Sequence, residues 1–274
     1  LDQDRIVEAA RVVAAAGVND FRTRFGLAVA AAWLVGLSVV GLVWQADRVA
    51  QQRSRFAASA AHELRTPLAG LRMYGEMLAE GLGDPDRRKD YARRIASESE
   101  RLGRVVSNVL GFARLERGLL NVRCQRGDLS AAILECTRGQ RATLDAAGVT
   151  LQMDLPADYP EVWFDRDALC EVLQNLLDNA EKYTRGCADR TVTVALERGG
   201  RRARVVVSDH GPGVPPENVR RLFRPFERGG DKDGPAGLGL GLVLCRALAR
   251  AMDGDLDYEP APSGGSRFVV RLRI

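Results

Sequence analysis

His62 is followed directly by Glu63, in a chain of 274 residues that holds two histidines. An imidazole beside a carboxylate can act as a nucleophile with a base at hand. Its unperturbed pKa of about 6.5 leaves it largely neutral near pH 7. Further on, Glu171, Asn175, Asn179 and Lys182 recur at helical spacing, with Tyr183 at the boundary of the same arc. Amide oxygens can ligate Mg²⁺ where phosphates supply the charge. A lysine meets a phosphate as a point charge, and a tyrosine ring gives a base a surface to pack on. Asp209-His210-Gly211-Pro212-Gly213 ends a strand-like run. A carboxylate there can accept a hydrogen bond from an exocyclic amine, and the glycines let a ligand approach the backbone. Residues 237–242 (GLGLGL) open a helical pattern, and backbone amides at a helix N-terminus bind phosphate. Residues 229–237 (GGDKDGPAG) are small, polar and glycine-rich, as a lid would be.

Composition removes several classes. The balance of 40 basic against 36 acidic residues, a net +4, is too mild for a nucleic-acid binder. Two histidines cannot build a His-rich metal site. No GxxxxGK[ST] occurs, so this is not a P-loop, and no HRD or DFG marks a Ser/Thr/Tyr kinase. The five cysteines include no CxxC pair and read as free thiols in a reducing compartment.

The elements that must position these groups follow from periodicity. Residues 25–44 (FGLAVAAAWLVGLSVVGLVW) carry no charge. At about 1.5 Å per residue such a run spans a hydrocarbon core of roughly 30 Å. It reads as a transmembrane helix after a helical segment over 1–24. Basic residues flank both ends, which leaves its orientation open. The chain starts with Leu1 and reads as a fragment or a processed chain. Ala57, Ala61, Leu64, Leu68, Leu71, Gly75, Leu78 and Leu82 keep a bundle-seam spacing, and a second stripe runs from Tyr91 through Ile95, Glu98, Leu102, Val105 and Val109 to Phe112. GLGDP (81–85) turns the chain between them. Residues 45–117 are thus a signalling helix plus an antiparallel hairpin. Two copies of it would make a four-helix bundle, so a homodimer is expected. His62 falls beside the seam, and Pro67 should bend its helix. Residues 118–274 switch to mixed elements. Strands are expected over 149–155, 161–165, 191–197, 202–209 and 268–274, with helices notably over 167–184 and 240–252. The fold class is α+β.

Together these segments resemble the bacterial sensor histidine kinases of two-component systems over residues 50–274. FAASAAHELRTPL (56–68) is similar to the histidine box and LQNLLDNAEKYT (173–184) to the asparagine box. SDHGPGVP (208–215) resembles the first glycine box, LFRPFERG (222–229) the phenylalanine box and GLGLGL (237–242) the second glycine box. The resemblance implies a helical dimerisation hairpin followed by a GHKL-type ATP-binding sandwich. It implies that His62 attacks the γ-phosphate of ATP, with Glu63 as base. Asn175 would hold Mg²⁺, with Asn179 and Lys182 near the phosphates. Tyr183 would line the adenine pocket, and Asp209 would bind the adenine amine. Gly211, Gly213, Gly237, Leu238, Gly239, Leu240 and Gly241 would shape pocket and lid, which Phe223 and Phe226 would anchor. The phosphoryl group would pass to an aspartate of a response regulator receiver domain. Thr66 would position water when that partner is dephosphorylated. The implied location is the bacterial inner membrane, with the kinase domains in the cytoplasm. Only residues 45–61 separate the span from His62, too few for the HAMP relay domain of many members. Arg220, Arg221, Arg224 and Arg228 could attract the triphosphate or form an ordinary solvated basic face. Two other readings share parts of the pattern. An ATPase of the gyrase or chaperone kind would lack HELRTP. A nucleotide-binding scaffold would not need Asn175, Lys182 and Asp209 intact.

Overall fold

The computed structural model describes residues 27, 33–48, 51, 58, 60, 61, 63–227, 237–262 and 264–274. The chain falls into two units, Leu1–Ala57 and Ala58–Ile274. In the first, residues 33–48 are helical, and their large apolar side chains, Trp33 and Trp44 among them, are exposed. Residues 1–24, and 25, 26 and 28–32 of the apolar run, lie outside the described residues. Among the described residues no helix is long and apolar enough to cross a membrane.

In the second unit, residues 63–79 form α1, which stays helical through Pro67. Helix α2 (Pro85–Glu116) begins where Asp84 accepts a hydrogen bond from the Arg87 amide. Pro85 then occupies a position whose amide a helix leaves unpaired anyway. The two helices touch through Tyr74, a residue beside the expected stripe, whereas the stripe residues Leu68 and Leu82 are exposed. Tyr74 stacks on Tyr91 with ring centroids 5.9 Å apart, and the Arg94 guanidinium lies over the Tyr74 ring. Leu68, Met73, Val106 and Leu110 remain exposed on the hairpin.

The remainder is a two-layer sandwich. Its seven-stranded sheet comprises β1 (Gln125–Gly127), β2 (Thr150–Asp154), β3 (Val162–Phe164), β4 (Thr191–Gly199), β5 (Arg202–Asp209), β6 (Asp255–Pro260) and β7 (Ser266–Arg273). The order is β1-β3-β7-β5-β4-β2, with β6 also on β7. The β2–β4 pair is parallel and the other pairs are antiparallel. Register sets Val194 opposite Val207, and Val205 opposite Val270. With side chains alternating, these residues share one buried face. Helices α3 (Leu129–Ala146), α4 (Arg166–Tyr183) and α6 (Gly241–Ala251) cover that face and close the core. A short helix, α5 (Pro216–Val219), follows β5. The outer face carries a small cluster of Ala195, Val206 and Val269, flanked by ion pairs of Arg204 and Arg267 with Glu197.

Two departures from the sequence reading are physical. Strand β6 (DLDYEP) is acidic and was not expected, because its carboxylates are neutralised only across the fold. Arg246 and Arg250 hold Asp255, and Arg271 holds Asp257. The second is a correction. Not all cysteines are free thiols: Cys136 on α3 and Cys170 on α4 form a disulfide, with Cα atoms 4.9 Å apart. A separation of 34 residues gives no local signal; the packing of α3 on α4 creates the pair. Cys124, Cys187 and Cys245 are free.

Helix α4 is fixed by Asp165. One carboxylate oxygen accepts from the Ala168 amide at 3.0 Å, capping the helix, and the other from the Arg123 amide at 2.6 Å. Replacing it orphans two amides at once. Asp165→Ala is expected to cost about 1–3 kcal/mol in denaturant unfolding; an unchanged midpoint would contradict the double role.

Candidate nucleotide site

Helix α4 has two faces because its periodicity is close to 3.6. Leu169, Val172, Leu173, Leu176, Leu177 and Ala180 are buried against the sheet and neighbouring helices. Asn175, Asn179, Lys182 and Tyr183 are half-buried on the other arc. The Asn175 amide nitrogen donates to the Glu171 carbonyl at 3.0 Å. Its oxygen faces the first turn of α6, where a Cβ on Gly241 would stand 2.9 Å away. The Lys182 ammonium lies 5.3 Å from the Tyr183 ring centre, and a Cβ on Gly237 would come within 2.8 Å of it. An amide oxygen and an ammonium therefore converge on backbone that carries no side chains. The start of α6 has no side-chain cap, which leaves its first amides as donors. This cradle fits Mg²⁺ bound through Asn175 with most other ligands from phosphates and water. Among the described residues no cluster of acidic, His or Cys side chains offers a protein-only metal site.

Asp209, at the end of β5, is 5% exposed. The Gly211 amide donates to it at 2.8 Å, and Ser266 donates through both backbone and side chain. Burial nevertheless pushes this carboxyl above the usual aspartate range; the donors and His210 oppose the rise. Next to it, Gly213 has a φ of 72°, and the Val214 amide donates to the Tyr258 hydroxyl at 3.0 Å. His210 has a structural role that the sequence did not suggest: Nδ1 is 3.2 Å from the Thr191 carbonyl and 3.7 Å from Asp189.

The segment before the glycine-rich run is held from two sides. Phe223 lies under the Arg246 guanidinium, 4.5 Å from ring centre to Cζ, and Arg246 is fixed by Asp255. Phe226 meets Phe112 of α2 edge to face at 5.4 Å. Its amide donates to the Gly239 carbonyl. Leu238 and Leu240 are buried. Residues 228–236, Arg228 included, lie outside the described residues. Arg221 and Arg224 pair with Glu227, whereas Arg220 is exposed.

Helix α2 docks on this assembly. Gly111 lets it close on α6, since a Cβ there would stand 2.5 Å from Leu244. Arg104 pairs with Asp178 of α4 at 3.4 Å. Burial raises the Asp178 and Glu171 carboxyls, while Arg104 and Arg114 pull them back. A cleft of about 1670 Å³ separates α2 from α3 and α4. Asn175 lines it; Asp209 and Gly211 do not. On α1, Glu63 is buried and Thr66 exposed. His62 lies outside the described residues. Sequence reasoning missed Phe112, Arg246 and Ser266. Phe112 was a seam residue, and the other two gain meaning only through strand and helix packing.

Fold and site define an ATP-binding sandwich joined to a helical hairpin, and comparison with known proteins agrees. Residues 164–274 match the family model "Histidine kinase-, DNA gyrase B-, and HSP90-like ATPase". Residues 52–118 match the "His Kinase A (phospho-acceptor) domain". Histidine protein kinase DivJ of Caulobacter vibrioides is 35% identical over 234 residues, 84% of this chain and 38% of DivJ. Alginate biosynthesis sensor protein KinB of Pseudomonas aeruginosa is 31% identical over 81% of this chain and 37% of KinB. The chain thus spans under two fifths of either relative. Among solved structures, full-length ShkA in complex with AMPPNP is 26% identical, with a TM-score of 0.56 over 80% of this chain and 45% of ShkA. Histidine kinase AdeS of Acinetobacter baumannii shares the fold, with a TM-score of 0.58 and 24% identity over 77% of this chain and 97% of AdeS. The chain belongs to the bacterial two-component sensor histidine kinases.

A raised carboxyl pKa has a definite sign. The folded chain holds the Asp209 proton to higher pH than the unfolded chain, so stability falls as pH rises above about 3.9 toward the raised value. Asp209→Asn removes that loss and keeps an acceptor for Gly211. Without nucleotide it is expected to unfold at a higher temperature than the parent at pH 7, the gain fading below pH ~4. A lower midpoint at pH 7 in thermal scans would show that the donors outweigh burial.

Proposed function

We propose that the chain autophosphorylates on His62 from Mg-ATP and passes the phosphoryl group to an aspartate of a response regulator. The convergence of Asn175 and Lys182 on the bare backbone at Gly237 and Gly241 supports this reading most directly. Asp209 accepts the adenine amine, and Tyr183 packs on the base. Lys182 and the first amides of α6 neutralise the triphosphate, and Asn175 holds Mg²⁺, which supplies further charge neutralisation when bound. The bound nucleotide of ShkA supports the same ligand here. A His62 ring nitrogen attacks the γ-phosphorus, the bond to the β-phosphate bridging oxygen breaks, and ADP leaves. Glu63, the adjacent carboxylate, takes the imidazole proton. Phosphoryl transfer asks mainly for such positioning and charge.

Thr66 is exposed one turn from Glu63 and suits the positioning of water for regulator dephosphorylation. The exposed Leu68, Met73, Val106 and Leu110 support burial against a second copy of the hairpin. The uncharged run over 25–44 supports one membrane span, with the kinase in the cytoplasm.

Incubation with γ-labelled ATP is expected to give acid-labile, base-stable label that is absent from His62→Ala. Label that persists in His62→Ala would refute the assignment. Thr66→Ala is expected to retain autophosphorylation and lose regulator dephosphorylation; equal loss of both would remove the role given to Thr66.

A further inference from the structure

Among the described residues, Glu63 is the proposed reaction group buried inside the hairpin, its side chain 5% exposed. Taking a carboxylate out of water is costly unless an opposite charge and a fixed geometry compensate. That charge comes from the other helix. Arg101 of α2 places Nη2 3.8 Å from a Glu63 carboxylate oxygen and Nη1 3.7 Å from Glu98. At these lengths the contacts are ion pairs rather than hydrogen bonds. Glu98 is the one charged member of the α2 seam stripe, and it faces α1: its Cγ lies 3.6 Å from where a Gly70 Cβ would stand. One oxygen of Glu98 is buried without a hydrogen-bond partner. It pulls on the same guanidinium, which is therefore held between two carboxylates rather than waving in solvent.

We infer that Arg101 is a positioning residue for phosphorylation, bracing the Glu63 carboxylate from the opposite helix and so fixing the placement of the proposed base. The inference rests on the reading of Glu63 as the base. It also explains why a charged residue interrupts the seam. Glu98 steers the arginine and offsets its charge, and the pair Glu98/Arg101 together presents Glu63 with an anchored, directional cation.

The test is autophosphorylation of the full chain across ATP concentrations in Glu63→Gln, Glu98→Gln, Arg101→Lys and the charge-balanced Glu98→Gln/Arg101→Gln variant. The double variant leaves no orphaned carboxylate at position 98, and Arg101→Lys keeps a cation beside the buried Glu63, so a kinetic effect is separable from loss of folding. Its kcat is expected at least about tenfold below that of Glu98→Gln, since a positioned base contributes that much or more. KM for ATP is expected to stay within about twofold, because nucleotide binding is untouched. Arg101→Lys should recover part of kcat. A double variant as fast as Glu98→Gln, or one altered only in KM, overturns the inference while a slow Glu63→Gln leaves the base assignment standing. Glu63→Gln as fast as the parent overturns the base assignment, and this inference with it.

Discussion

The constraint on which the rest depends is that α4 must seal the core with one face and present polar groups with the other. Leu169, Val172, Leu173, Leu176, Leu177 and Ala180 leave little rotational freedom once they pack on the sheet. A turn of the helix by a fraction of a residue would bury Asn175 or expose Leu176. The direction of the Asn175 oxygen is thus set by the same contacts that close the core. The disulfide to α3 and the double use of Asp165 add two further restraints on the helix. The polar arc proposed to hold nucleotide is anchored because its reverse side packs into the core of the domain.

The hairpin and the nucleotide site share surfaces rather than merely a chain. Helix α2 meets α4 through Arg104 and Asp178, α6 through Gly111 and Leu244, and the segment before the glycine-rich run through Phe112 and Phe226. Each contact joins a groove or charge on the hairpin to an element that also shapes the ligand cradle. Helix α2 therefore touches elements on two sides of the proposed nucleotide site. The Arg101 contact works in the opposite direction, carrying the placement of α2 to the residue next to His62 on α1.

Much of this was legible in the sequence where periodicity and chemistry coincide. The two arcs of α4, the hairpin turn, the main strands and the glycine run at α6 follow from local pattern. The elements that were not legible depend on distant partners. Strand β6 reads as polar until Arg246, Arg250 and Arg271 are placed beside it. Cys136 and Cys170 read as unrelated thiols until α3 lies on α4. Glu98 reads as a flaw in an apolar stripe until Arg101 and Glu63 meet it. Phe112 was placed on the seam, whereas it packs on Phe226, because a stripe gives spacing but not which neighbour claims each position.

The central claim is that the polar arc of α4 is a phosphate and metal cradle rather than a solvated helix face. Calorimetric titration of Mg-ATP into the full chain and into Asn175→Ala and Lys182→Ala tests it directly. The account predicts at least about a tenfold loss of affinity, about 1.4 kcal/mol, in each variant, with the nucleotide-free unfolding midpoint unchanged. Affinity equal to that of the parent in both variants would contradict it.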